Sequence, residues 1–214
     1  MLALTRLAPL LLATVLSRPL AAQRGADSAA FVVRRGADTV AVETFGRDRT
    51  HLGGTLVIWG AGGFAERWSA VVAPDATVPL IEVAVTPTAD TLGHRTQRAR
   101  LIFRDDSVAI DGVTGDRLDT RVLGTQTGAV PYINLSFALL EQALRRGLVA
   151  GTSVPLFNLG GGQTAVASVE RRGSAAARLA LGPVAIDLTT DAEGRILSAR
   201  IDAQNLRVER VAVR

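Results

Sequence analysis

Apolar and polar residues alternate along most of this sequence, and residues that favour tight turns break the alternation at short intervals. Residues 164–202 hold four alternating runs, separated at Arg172-Gly173, Gly182-Pro183 and Asp191–Gly194, and a last run follows at 206–213. A period of two places successive side chains on opposite faces of a strand, and short turns join antiparallel neighbours. The pattern predicts an antiparallel meander rather than parallel strands joined by helices.

Two further segments follow the same plan. Residues 30–45 contain two β-rich runs on either side of Gly36-Ala37-Asp38, which tolerate turn geometry. In residues 95–111, Ala99, Leu101 and Phe103 share one face, and Asp105-Asp106 forms the turn. Both segments are predicted to be hairpins.

One segment departs from the period of two. In residues 132–147, apolar side chains recur at helical spacing, with Asn134 as a candidate N-cap and Gly147 as a stop signal. The spacing predicts a helix over about 134–146 whose wide apolar face packs on the sheet. The fold class is therefore predicted to be all-β with one inserted helix. We expect a curved antiparallel meander or half-barrel of about a dozen short strands, formed by a single domain over residues 23–214.

The first 22 residues resemble a cleaved secretory signal. Arg6 provides a positive start, Leu7–Leu16 is apolar but too short for a stable membrane anchor, and Ala21-Ala22 offers a cleavage site. A buried N-terminal helix is the alternative interpretation, although Pro9 and Pro19 fit a helix poorly. The sequence thus predicts an exported bacterial protein, periplasmic or secreted, with no transmembrane span in the mature chain.

Composition narrows the possible functions. The absence of cysteine excludes disulfides, thiolate metal sites and cysteine nucleophiles. Removing Arg6 and Arg18 with the signal lowers the formal net charge from +4 to +2, and the remaining arginines are interspersed with acids. A nucleic-acid partner is therefore not expected.

Two glycine-rich stretches resemble nucleotide-binding motifs. Gly60–Ala65 matches G-x-G-x-x-A, but Val71-Val72 and Pro74 leave little room for the helix that a dinucleotide site needs. Residues 159–164 lack the Gly-Lys-Ser/Thr ending of a phosphate-binding loop. We interpret the first stretch as a glycine-rich hairpin and the second as a loop or bulge between strands, and we predict no cofactor.

Residues of the opening and closing hairpins resemble a known group. Gly36–Glu43 has the pattern G-x-D-T-V-x-x-E, and Asp191–Ile196 has the pattern D-x-x-G-R-I. Both are similar to hairpins of uncharacterised secreted bacterial domains, and the likeness covers most of residues 30–211. The resemblance implies a strongly curved antiparallel sheet, sometimes found beside a hydrolase domain, with no established activity or catalytic residues.

The leading functional hypothesis is a non-catalytic envelope protein that binds an apolar or amphipathic, lipid-like molecule or another envelope protein. Phe137, Leu140 and Leu144 would line its cavity, unless they only fill the core. The alternative is a hydrolase-type enzyme that uses His51 or His94 with a carboxylate, although no G-x-S-x-G motif is present. These two histidines and a carboxylate could also hold a metal if the fold brought them together, but no metal site is predicted.

Overall fold

The computed structural model describes residues 27–88 and 96–213, and the predicted signal segment and His94 lie outside these residues. The strands are β1 (Asp27–Arg35), β2 (Asp38–Arg47), β3 (His51–Ile58), β4 (Phe64–Val71), β5 (Leu80–Pro87), β6 (Gln97–Phe103), β7 (Ser107–Thr114), β8 (Arg117–Gly124), β9 (Val130–Tyr132), β10 (Ser153–Asn158), β11 (Gln163–Arg171), β12 (Ala176–Leu181), β13 (Val184–Thr190), β14 (Ile196–Ile201) and β15 (Leu206–Ala212). The helix α1 (Phe137–Ala150) follows β9, and a 3₁₀ turn (Asp202–Gln204) precedes β15.

The fifteen strands form one sheet in the order β8-β7-β6-β5-β4-β3-β2-β1-β15-β14-β13-β12-β11-β10-β9. Every neighbouring pair is antiparallel except β9 and β10, which are parallel. Strand β1 pairs with both β2 and β15, so the first and last described strands lie together in the middle of the sheet. The predicted all-β antiparallel meander is confirmed, with three more strands than expected.

The hairpin interpretation of the G-x-G-x-x-A stretch is also confirmed. Strand β4 pairs antiparallel with β3, and residues 59–63 form the turn between them, so a strand follows Gly63 where a dinucleotide fold requires a helix. Trp59 lies in the turn, and 48% of its surface is exposed.

The helix is shifted along the chain relative to the prediction of 134–146. Leu135 has a positive φ of 66°, which is incompatible with a helical start at Asn134, and the Ser136 side chain instead accepts the N–H of Leu139 as the N-cap. Gly147 does not stop the helix, because it is buried against Val169 and α1 continues past it. The helix ends at Gly151, whose φ of 118° suits glycine.

Side chains of the sheet hold α1 on its concave face. The Glu43 carboxylate of β2 accepts the N–H groups of Phe137 and Ala138 at 2.7 and 2.9 Å. One turn further along, the fully buried Glu141 binds Arg210 at 3.0 Å and lies 3.6 Å from Arg47. The expectation that the helix packs on the sheet is therefore confirmed, and the packing includes buried charges as well as apolar contacts.

The two edges of the sheet approach each other through side chains. The rings of Phe103 on β6 and Phe157 on β10 meet edge to face with centroids 5.6 Å apart. The hydroxyls of Thr125 and Thr164 lie 2.7 Å apart, and Leu123 packs against the turn at Gly162. Among the described residues, β8 and β9 share no backbone ladder. We call this side-chain contact between the two edges of the sheet the seam.

The turns of the meander fall into two groups at opposite ends of the strands. We call one the glycine-rich end, and its described members are the turns at residues 36–37, 59–63, 115–116, 159–162 and 182–183 and the connections 133–136 and 202–205. The connection from β5 to β6 joins strand ends of the same group, but its residues 89–95 lie outside the described residues. The other is the charged end, which comprises residues 48–50, 72–79, 104–106, 125–129, 151–152, 172–175 and 191–195. In the described part of the chain, no helix has the length and apolarity needed to cross a membrane.

Candidate ligand cavity at the glycine-rich end

A cavity of about 780 Å³ lies between the concave face of β4–β8 and the segments on the other side of the seam. Its lining includes Phe64, Thr114 and Arg117, which stand at strand ends, so the cavity reaches the glycine-rich end. Ile133 and Asn134 before α1, and residues 158–160 at the β10–β11 turn, border it from the opposite side.

The strand register explains why the floor of this cavity is apolar. Trp68, Val83, Ala99 and Gly112 are direct cross-strand partners from β4 to β7, so their side chains point to the same face. Val85 and Ile110 lie in the neighbouring rows of that face. Of these residues, Val83, Val85, Ala99, Ile110 and Gly112 line the cavity.

Glu66 interrupts this apolar floor. It is only 6% exposed and lies on β4 between its cross-strand partners Leu56 and Val85. No hydrogen bond or ion pair joins its carboxylate to another described residue, and burial alone raises the pKa of Glu66 to about 7. A nearly buried carboxyl group in a cavity lining, with no partner among the described residues, can exchange a hydrogen bond with a ligand.

Charged side chains are concentrated on the edge strand. Arg117, Asp119 and Arg121 alternate along β8 and line the cavity on the side of the seam. They belong to the same concave face as Glu66, because Arg117 continues the row that contains Val85, Gln97 and Thr114. Four strand spacings place Glu66 and Arg117 roughly 19 Å apart along the curved sheet. The cavity thus has a buried acid at one side and cationic groups at the other.

The residues predicted to bind a ligand lie elsewhere in the interior. Phe137, Leu140 and Leu144 are 3%, 3% and 1% exposed and belong to the hydrophobic core. Phe137 and Leu140 border a separate cavity of about 70 Å³, which has room for a few water molecules but not for a lipid. The structure does not bring these three residues to the larger cavity, and their contact with a ligand stays a prediction.

The histidine hypothesis concerns a different part of the surface. His51 begins β3 at the charged end, and its side chain is 65% exposed. Its Nδ1 lies 2.9 Å from the Thr50 hydroxyl and 3.7 Å from Asp48, in a turn that is exposed to solvent. His51 does not line the cavity described above, and His94 lies outside the described residues. Among the described residues, no cluster of three or more histidine and carboxylate groups is arranged to hold a metal ion.

Sequence reasoning did not single out Glu66 or Glu43, although a signal was present. Glu66 stands in the same period-two register as Trp68 and Ala70, and Glu43 alternates with Ala41 and Phe45. An acid in the apolar register of a strand is unusual, because strands of this kind place their polar residues on the solvent face. Such a residue indicates a buried contact or a site.

Comparisons with known proteins support the fold. Neither the protein-family models nor the curated proteins include a match to this chain. A DUF1089 family protein from Pseudomonas aeruginosa is structurally similar, with a TM-score of 0.56 and 10% identity over 75% of this chain and 89% of that chain. A beta-barrel-like protein with a domain of unknown function, DUF1849, from Brucella abortus gives a TM-score of 0.51 and 10% identity over 88% of this chain and 95% of that one.

These similarities agree with the general part of the resemblance noted from the sequence. Both neighbours are β proteins whose descriptions assign no function, and one is described as barrel-like. At 10% identity they show a shared fold and nothing about activity. The chain therefore has a β-barrel-like fold that is shared with uncharacterised proteins.

Proposed function

We propose that this protein is a non-catalytic, exported envelope protein that binds an amphipathic molecule in the cavity of β4–β8. The observation that carries the proposal is a cavity of about 780 Å³ with an apolar floor, whose lining includes Glu66, a buried acid without a partner among the described residues. This volume falls in the range of small-molecule sites, about 300–1,000 Å³.

The arrangement of the lining suggests the chemistry of the ligand. An apolar body would cover Val83, Val85 and Ile110, which point into the cavity. A hydroxyl, carboxyl or amine group would supply the hydrogen-bond partner that Glu66 lacks. Arg117 and Arg121 would attract an anionic group near the seam. A lipid-like molecule with a polar group at each side of its apolar part fits these three requirements.

Binding can be tested with a dansyl-labelled fatty acid and two matched glycine substitutions. Gly112 lines the cavity, and a Cβ there would meet its nearest heavy atom at 3.7 Å, so Gly112→Leu should fill the cavity without disturbing the sheet. Gly124 lies outside the lining, and a Cβ there meets nothing within 4 Å, so Gly124→Leu is the control.

We expect wild-type protein and Gly124→Leu to bind the probe equally, and Gly112→Leu to bind it about tenfold more weakly, which corresponds to about 1.4 kcal/mol. The proposal is wrong if the wild-type protein does not enhance dansyl fluorescence, or if Gly112→Leu binds as tightly as the wild type. Circular dichroism and urea unfolding of both variants check that the sheet is intact.

The identity of the natural ligand and the export of the protein need separate measurements. Native mass spectrometry of protein purified from its own envelope should show a co-purifying mass of lipid size. A co-purifying polypeptide would instead favour the alternative that another envelope protein is the partner. Fractionation of the cells and the intact mass of the mature protein test whether the chain is exported and cleaved near Gln23.

A further inference from the structure

The two ends of the barrel-like sheet differ sharply in charge. The described turns and connections of the glycine-rich end contain two charged residues, Asp116 and Asp202, and Asp38 adjoins the turn at 36–37. Residues 89–95, between β5 and β6, are not part of this comparison because they lie outside the described residues. Those of the charged end contain ten, namely Asp48, Arg49, Asp75, Arg104, Asp105, Asp106, Arg172, Asp191, Glu193 and Arg195. Turns normally carry polar and charged residues because they face water. Five of the seven described turns and connections of the glycine-rich end are uncharged, which is the exception, and the cavity reaches this end.

Trp59 is the most prominent apolar side chain of this end. It is 48% exposed, whereas the other tryptophan, Trp68, is 2% exposed in the core. An indole ring is amphipathic and is enriched at the interface between lipid and water. A single exposed apolar residue is common on protein surfaces, so Trp59 alone would carry no conclusion. Its position within a set of uncharged turns gives it significance.

The turn that carries Trp59 is held firmly in place. The Trp59 N–H donates to the Val40 carbonyl at 3.0 Å, and the Gly63 carbonyl accepts the Thr88 N–H at 3.1 Å. A Cβ on Gly63 would lie 2.6 Å from the Ile58 carbonyl oxygen, so the tight approach requires glycine. The tryptophan is thus presented at a fixed position, at small conformational cost on binding.

We infer that the glycine-rich end docks on a lipid surface, with Trp59 entering the interface and the cavity opening towards the membrane. Two exposed arginines, Arg35 and Arg117, stand at strand ends directly behind the uncharged turns and make no ion pair with a described residue. Their side chains are long enough to reach phosphate groups while the turns contact the apolar boundary. The inference builds on the proposed function, because a ligand taken from a membrane would enter through this end.

Co-flotation with vesicles of phosphatidylethanolamine and phosphatidylglycerol tests the inference. Ala61, in the turn of Trp59, and Ser174, in a turn of the charged end, are both exposed, so Ala61→Asp and Ser174→Asp add the same charge to opposite ends. We expect wild-type protein and Ser174→Asp to float with the vesicles. Ala61→Asp and Trp59→Ser should partition into the vesicles at least about tenfold more weakly than the wild type.

The same variants separate this inference from the proposed function. Binding of the soluble dansyl-labelled fatty acid should be unchanged in Ala61→Asp, because Ala61 does not line the cavity. The docking inference is overturned if the wild-type protein does not float or if Ala61→Asp floats as well as Ser174→Asp. It is also overturned if Ala61→Asp alters the oligomeric state of the protein without weakening its flotation, because the glycine-rich end would then be a contact between copies of the chain. In each of those cases the result for probe binding decides the proposed function independently.

Discussion

The carboxylate of Glu43, in the middle of β2, accepts the backbone N–H of Phe137, the first residue of α1, at 2.7 Å. The Ser136 hydroxyl donates to the same carboxylate at 2.5 Å, and Ala138 adds a second backbone N–H. Negative charge at a helix N-terminus is favourable because the unpaired N–H groups and the helix dipole point towards it. A residue 94 positions away in the sequence therefore fixes the start of the helix.

Glu43→Gln should destabilise the protein by about 1–3 kcal/mol, because an amide has one acceptor oxygen fewer and turns an NH₂ donor towards other donors. Urea unfolding monitored by circular dichroism measures the change. Glu209→Gln is the control, since Glu209 makes an exposed ion pair with Arg34 and should lose less than about 1 kcal/mol. Equal losses in the two variants would contradict the capping role.

Glu141→Gln should be more costly, at about 3–5 kcal/mol. Glu141 is fully buried, and its charge offsets those of Arg210 and Arg47, while burial lowers the pKa of Arg47 to about 10. The substitution leaves these two buried guanidinium groups with less compensation. Because the pairs are shielded from solvent, the loss should be nearly the same at low and high salt. A loss below about 1 kcal/mol would show that the network relaxes without Glu141.

Glu66 should make stability fall as the pH rises. Burial raises the pKa of Glu66 to about 7 from its ordinary value of about 4.5, so between these values the unfolded chain releases a proton that the folded chain retains. We expect Glu66→Gln to remove this loss and to raise the free energy of unfolding at about pH 8 by up to about 3 kcal/mol, with little change at about pH 4.

Urea unfolding of wild type and Glu66→Gln across this pH range measures the effect. Burial also raises the pKa of Glu43 to about 7, but Glu43 is present in both proteins, so the difference between them isolates Glu66. Parallel pH profiles for the two proteins would mean that Glu66 has a partner in solution.

Gly147→Ala should destabilise the protein although alanine favours helices. A Cβ at position 147 would lie 2.7 Å from Val169 Cγ2 and 3.1 Å from Val154 Cγ2. Overpacking of this kind costs about 1–3 kcal/mol, against a gain of about 1 kcal/mol in helix propensity. The double variant Gly147→Ala/Val169→Ala should recover part of the loss, and a double-mutant cycle measures the coupling. Strict additivity would show that the two residues do not compete for space.

The elements that the sequence predicted well are those with local causes. The hairpin at Gly36 and the turn at Asp191–Gly194 depend on nearby residues, and period-two alternation reports on strands without knowledge of their partners. The helix itself was predicted, but it lies three to four residues further along the chain than about 134–146, because its ends depend on distant contacts. Glu43 fixes the N-terminus from β2, and Val169 on β11 packs over Gly147, which local stop signals cannot reveal.

The position of the cavity could not be predicted from the sequence, because it too depends on distant contacts. The cavity depends on which strand faces lie opposite each other across the seam and on how far apart they are. The sequence contains no direct measure of the distance between the two edges of the sheet. Phe137, Leu140 and Leu144 were recognised as inward-facing, and they belong to the core, where the cavity that Phe137 and Leu140 border is only about 70 Å³. The open volume is instead next to Glu66, whose place in the apolar register of β4 was a readable signal.

The seam gives this fold a freedom that a closed barrel lacks. Since side chains such as Thr125 and Thr164, rather than a backbone ladder, join the described edges of the sheet, the two edges are able to separate without the loss of an inter-strand backbone hydrogen bond. Ligands of different size would then fit if the two halves of the sheet rotated relative to each other about the central pair β1 and β15, with every hairpin intact.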